Sequence, residues 1–352
     1  MSVLQIQEGK AKLPDPTQLL RECIGDPLER VFIPNWYNKP EPVPCMLSLG
    51  GYGFLNHQNT AAIIANPGSG KSSHMEAIIA SYLNPECDSL GWDVGPGCKG
   101  IVLIDNEMTD ADVWNNMYRT AKRAGLEVGD RMDNVLFAGL RAVPRVEERL
   151  EVAEYLLENN PCSILLIDGA GDWVRDTNDL DQAIECRTRM RELTIKYNIS
   201  ILSTLHPNPG STKPRGHQGS EICREAESVA LIKSVEGDAR IITTDFDHGK
   251  NRHNPKLSAG FRWSEMYGMF VSEDIDEVMA TQKNVKDSGK RTAAEIMARV
   301  ILNGQKALKY SELVREIMDK SSQSEPTAKR RVKDMEGWGI INKVDDYYRL
   351  SS

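Results

Sequence analysis

The 352-residue chain lacks any apolar run near the roughly 20 residues that a membrane-spanning helix requires. Its opening, MSVLQIQEGKAKLPDP, has no apolar core of the kind a secretion signal carries. The seven cysteines are Cys23, Cys45, Cys87, Cys98, Cys162, Cys186 and Cys223. None stands in C-x-x-C spacing and their number is odd, which argues against a disulfide framework and against a cysteine metal centre. Internal repeats and low-complexity tracts are missing as well. These absences lead to the expectation of a globular protein of the reducing cytoplasm with no membrane partner. The 40% hydrophobic and 27% charged residues suit one large α/β domain with a small one beside it.

Charge is unevenly spread. The stretch from Lys290 to Ser352 holds 13 Lys and Arg against 9 Asp and Glu, so the net −8 divides into a body near −12 and a mildly basic tail. An acidic body speaks against non-specific nucleic-acid binding over its whole surface, though not against a local basic channel.

Short β-branched apolar runs alternate with longer amphipathic stretches. TAAIIA (60–65), GIVLIDNE (100–107), NVLFAG (134–139), SILLID (163–168) and ISILSTL (199–205) read as buried strands, and all but the last are followed by helical patterns. VALIKSVE (229–236) and ARIITTDF (239–246) read as late strands. This alternation predicts an α/β fold, a mainly parallel sheet with helices on both faces. Residues 1–40 are a proline-rich, polar lead-in, 41–275 the core, 276–290 a linker of almost no apolar content, and 291–352 a small second domain.

One motif carries clear chemistry. Ala65-Asn66-Pro67-Gly68-Ser69-Gly70-Lys71-Ser72 nearly matches the phosphate-loop pattern G-x-x-x-x-G-K-[ST], with alanine at the first glycine. Ala65 falls where the strand ends, so its methyl need not block a cradle. Gly68 and Gly70 let the backbone approach an anion, and successive N–H groups at the following helix start can hold phosphate oxygens. Asn66 through Ser73 form the candidate nucleotide site. Lys71 would reach the β- and γ-phosphates of ATP and Ser72 would hold Mg²⁺. Asp168, ending an apolar strand, has the form of the second metal-site residue; a strand-end aspartate can also serve only as a cap. Glu107, ending another, is the candidate base for water; an acidic turn capping the helix after Thr109 is the alternative.

Taken in order, the loop, IVLIDNE, SILLIDG and ISILSTLH resemble the RecA-like ATPase core, most closely the branch of RepA-type and DnaB-type hexameric helicases. The resemblance spans about 41–275. It implies that Glu107 activates water, that His206 senses the γ-phosphate, and that Lys250 and Arg252 in FDHGKNRHNP reach a neighbouring subunit's nucleotide in a homo-oligomeric ring. Two loops would then line a pore for single-stranded DNA. One is 169–179, whose Asp172, Asp176 and Asp179 surround a lone Arg175. The other is 206–221, which offers Lys213 and Arg215. Residues 291–352 read as a winged helix: a first helix capped at Thr292-x-x-Glu295, a second from about Ser311, a third near Pro326 with Ser324 as N-cap, and GIINKVDDYYRL as the wing. Lys329, Arg330 and Lys333 share one face of the third helix and would meet duplex DNA. Such domains also dock proteins, and Asp345 and Asp346 would repel phosphate. The expected function is a Mg²⁺-dependent ring ATPase acting on DNA, a helicase or translocase; the alternative is a non-motor ATP switch that binds DNA and recruits partners.

Overall fold

The computed structural model describes residues 39–351 except 128, 236–237, 253, 255 and 304–306. The lead-in over 1–40 lies almost wholly outside the described residues. A small antiparallel sheet opens the described chain, with β1 (Cys45–Leu49) between β2 (Tyr52–Asn56) and β4 (Trp92–Val94). β3 (Thr60–Ala65) leads through the phosphate loop into α1 (Lys71–Leu83). Then follow β5 (Ile101–Asp105), α2 (Asp110–Ala124), β6 (Val135–Gly139), α3 (Val146–Asn159), β7 (Ile164–Asp168), α4 (Leu180–Lys196), β8 (Ser200–Leu205) and α5 (Gly216–Glu225). The late strands are β9 (Ser228–Ser234), β10 (Ala239–Thr243), the two-residue β11 (Lys250–Asn251), β12 (Ser258–Ser264) and β13 (Met269–Glu273).

The central sheet has ten strands in the order β13-β12-β10-β9-β3-β8-β7-β5-β6, with β11 pairing to β9 off that path. From β9 to β6 every neighbouring pair is parallel. β10, β12 and β13 continue it as an antiparallel annex. β3, β5, β7 and β8 are buried along their whole length, which is why they read as unbroken apolar runs. One face of the sheet packs on α1 and the small sheet, through Ile63, Ile78 and Trp92. The other packs on α3, α4 and α5, through Ile64, Leu157, Met190 and Ile222. The expected α/β architecture with helices on both faces is therefore present. The Trp92 indole N–H donates to His74 Nδ1 at 2.9 Å and fastens α1 to the small sheet. Burial pushes the His74 pKa down to about 3, so this contact is made by a neutral ring.

Three stretches differ from expectation. The polar loop after β8 is shorter than read, because its second half forms α5. The 276–290 segment is helical and lies inside α6 (Ile275–Ile301), whose N-cap Asp274 accepts from Asp276 N at 2.7 Å. Thr292 consequently sits mid-helix and caps nothing. Polarity suggests a linker there, yet the Lys, Gln, Glu, Met and Ala residues of this stretch are good helix formers.

α6 leads into a compact C-terminal module. It comprises α7 (Tyr310–Ser321), α8 (Glu325–Gly337) and a three-stranded antiparallel sheet, with β16 (Tyr347–Leu350) between β14 (Leu308–Lys309) and β15 (Ile341–Val344). Ala298, Ile317, Val332, Met335 and Ile341 form its own core. α8 begins after Ser324 as read. Asp345 and Asp346 take left-handed conformations, φ 48° and 64°, as the two-residue turn of the β15–β16 hairpin demands.

Candidate nucleotide-binding site

All five strands from β5 to β9 on the parallel path end at one edge of the sheet, and three polar strand ends meet the phosphate loop there. Although β5 follows α1 in the chain, β8 and β7 stand between it and β3. The carboxyl ends of β3, β8, β7 and β5 thus present the loop, His206, Asp168 and Glu107 in spatial succession. This edge is where open α/β sheets bind ligands.

The loop has the backbone its sequence requires. Gly68 and Gly70 are left-handed, φ 71° and 101°. Ser69 N donates to Asn66 O at 3.2 Å, and Ser69 Oγ donates to the same carbonyl at 2.6 Å, closing the turn. Gly70 is the N-cap of α1, which has no side-chain cap and no acidic residue in its first turn. Its positive end therefore suits an anion.

Below the loop lies a hydrogen-bonded chain. Ser72 Oγ donates to Asp168 Oδ2 at 2.8 Å, and Thr204 Oγ1 donates to Asp168 Oδ1 at 2.5 Å. Thr204 Oγ1 also accepts from Gly169 N at 3.0 Å. Both carboxylate oxygens of Asp168 are thereby aimed. Asn106 crosses from the end of β5 to the end of β7, donating from its backbone N to Asp168 O at 3.2 Å and from Nδ2 to the same carbonyl at 3.0 Å. Asp105, buried, accepts from Glu107 N and Met108 N at 3.0 and 2.8 Å and sets the turn that presents Glu107. Burial raises its pKa. Asp105 Oδ2 and Asn106 Oδ1 are buried acceptors with no hydrogen-bond partner, pointing to a polar ligand at this edge.

Glu107, Lys71 and His206 converge above. Lys71 Nζ lies 3.1 and 3.0 Å from the two ring nitrogens of His206, and His206 Nε2 lies 3.5 Å from Glu107 Oε1. The interaction with His206, then the charge of Lys71, holds the Glu107 carboxyl below the usual glutamate range against the opposing effect of burial. Burial lowers the Lys71 pKa, with Asp168 and Glu107 opposing it. Glu107 also depends on a residue without a side chain. Gly169 is left-handed at φ 76°, and a Cβ there would stand 2.8 Å from Glu107 Cγ. A site of this kind, with a cationic loop, an aimed carboxylate beside a hydroxyl, and a second ionised carboxylate, can hold a polyphosphate with a divalent cation and deprotonate a water.

The remaining sequence-derived residues lie elsewhere. Lys250 and Asn251 pair with Val229 and Ser228, at the level of Ala62 and Ala61 in the sheet. That is about 13 Å along the strands from the loop of the same chain. Lys250 Nζ donates to Arg224 O at 3.0 Å and Arg252 Nη2 to Glu225 O at 3.1 Å, which satisfies carbonyls at the end of α5. Lys213 and Arg215 are exposed on a hairpin-like tip that starts at His206 and is closed by a Pro207–Pro214 bridge. The 169–179 loop, in contrast, is packed down. Ala170–Trp173 is a 3-10 turn, Trp173 and Val174 are buried, Arg149 pairs with Asp172 at 3.3 Å, and Arg175 pairs with Glu147. Lys329, Arg330 and Lys333 are exposed on α8, with Lys329 ion-paired to Glu325 at 2.7 Å. A groove of about 780 Å³ between α3 and α4, floored by Leu150, Trp173 and Ile184, takes in Arg175 and is lined by none of Lys71, Glu107, Asp168, His206, Lys250 and Arg252.

Contributors not singled out in the sequence include Asn106, Thr204, Gly169 and Arg240, the last of which donates to Gly68 O at 2.9 Å. Thr204 tests the scaffold. Thr204→Val keeps the shape but leaves Asp168 Oδ1 and Gly169 N without their partner, and is expected to cost about 1–3 kcal/mol by urea unfolding, with Thr204→Ser recovering most of it. Comparison with known proteins places the chain in no family: no protein-family model matches it, and no curated protein is similar to it.

Proposed function

We propose that the chain is a Mg²⁺-dependent ATPase of RecA-like type that assembles as a ring and acts on DNA as a helicase or translocase in the cytoplasm. One observation carries the reading: four separate strand ends bring the phosphate loop, Asp168, Glu107 and His206 together at one sheet edge. The unpartnered acceptors of Asp105 and Asn106 fit the same edge to a hydrated cation and its ligand. Residues 66–73 would cradle the phosphates. Ser72 and Asp168 would hold Mg²⁺, which when bound supplies charge neutralisation at the phosphoryl oxygens. Glu107, ionised and beside His206, takes the proton of the attacking water. His206, in contact with both Lys71 and Glu107, links the phosphate end of the site to the tip that carries Lys213 and Arg215. The distance of Lys250 and Arg252 from their own loop supports a role at a neighbour's nucleotide. The C-terminal module, three helices with a small sheet, supports a winged helix whose α8 offers Lys329, Arg330 and Lys333 to duplex DNA.

A second reading, a non-motor ATP switch, is favoured by the 169–179 loop, whose lone Arg175 is engaged on α3 and so leaves a single loop for a DNA strand. ATP turnover with and without single-stranded DNA, followed by unwinding of a forked duplex, separates the two. The motor reading expects DNA-stimulated turnover with strand separation. Stimulation without separation favours the switch, and no turnover sinks both.

A further inference from the structure

The outer side of the phosphate loop is gripped from the antiparallel annex. Arg240 stands at the start of β10, opposite Ser234 at the carboxyl end of β9, and so reaches the ligand edge from a strand that runs the other way. Its Nη1 donates to Gly68 O at 2.9 Å across a sequence separation of 172 residues. Its guanidinium lies over the Phe270 ring, 4.4 Å from the centroid. The loop itself rests on this seat. A Cβ at Gly70 would stand 3.3 Å from Phe261, 3.4 Å from Phe270 and 3.6 Å from Arg240 Nη1.

These contacts have a direct consequence for the loop. A phosphate cradle turns its N–H groups inward, so its carbonyls face outward, and an outward carbonyl is what Arg240 holds. Two left-handed glycines make the segment entropically expensive to order. A planar cation stacked on an aromatic ring is itself pre-ordered, and it hydrogen-bonds at little further entropic cost.

We propose that Arg240 is a positioning residue for the phosphate loop, holding it in its phosphate-ready shape through Gly68 O without contacting the nucleotide. The proposal rests on the ATP reading above. It separates from a direct phosphate contact, because a loop that cradles the β-phosphate serves ATP and ADP alike.

The test uses the full chain with Mg²⁺ and fluorescent ATP and ADP analogues. Arg240→Ala is expected to weaken both by the same factor, about tenfold, while kcat at saturating ATP stays within about twofold. Amide exchange in a peptide covering 63–73 is expected to rise, with that of 164–168 unchanged. Arg240→Lys, which keeps the charge but not the stacked fork, is expected to recover part of the affinity, and it carries the test if the alanine variant misfolds. Unchanged affinity overturns the assignment. Loss for ATP alone also overturns it, making Arg240 a γ-phosphate contact. Wild-type protein that binds neither nucleotide overturns the ATP reading and this proposal together.

Discussion

Glu107→Gln is expected to reduce ATP turnover by about 10²- to 10⁴-fold while ATP binding stays near wild type. The amide keeps the side chain's shape above Gly169 but cannot take a proton from water. The expected pH dependence follows from the same contacts. A base works only when ionised, and His206 holds the Glu107 carboxyl below its ordinary range. The acid limb of the wild-type pH–rate profile is therefore expected below the normal glutamate range, with turnover lost as pH falls through that depressed value. His206→Ala removes the largest cause of the shift and is expected to move the limb to higher pH. Stopped-assay rates across pH, beside ATP titrations of Glu107→Gln, check both statements. Full activity in Glu107→Gln would remove it as the base.

Arg252→Ala is expected to bind ATP and yet turn it over about 10³-fold or more slowly, the size of effect associated with an arginine finger. Within one chain Arg252 is fastened to the end of α5, well away from its own loop. Its effect on turnover must then be exerted on a second copy. A mixture with Lys71→Ala subunits is the sharper experiment. Neither variant alone forms a complete interface, but an Arg252→Ala subunit's intact loop can face the intact Arg252 of a Lys71→Ala neighbour. At equal mixing about one interface in four is complete, given a ring of head-to-tail contacts. Turnover is expected to peak near that ratio. A mixture no more active than either parent at any ratio would rule out action in trans.

The parallel half of the sheet was legible because strands buried on both faces leave an apolar signature that ends abruptly at a polar residue. Asp168, Glu107 and His206 stand at such endings, and the same rule places the loop. Of the annex, β10 was legible in ARIITTDF, but β12 and β13 were not. SAGFRWS mixes buried Gly260 and Phe261 with exposed Arg262 and Trp263, so neither a continuous run nor a clean alternation marks it. Arg240 looks like any strand residue facing solvent, since its partner Gly68 lies 172 positions away. Thr204 reads as a β-branched strand former, and its hydroxyl's target emerges only once β7 and β8 are neighbours. α5 was hidden because GHQGSEICRE opens with two weak helix formers among four residues, after a stretch rich in proline and glycine.

The length of α6 has a mechanical meaning. At its first turns Ile275 and Val278 pack on Ala239 and Ile241 of β10, the strand that carries Arg240. At its last turns Ala294, Ala298 and Ile301 belong to the core of the C-terminal module. An unbroken helix of 27 residues is a rod of about 40 Å, and a tilt of about 5° at its root carries its far end through about 3.5 Å. Strain introduced beside the phosphate loop would arrive at α8 enlarged, as displacement at the long arm of a lever whose fulcrum is the annex.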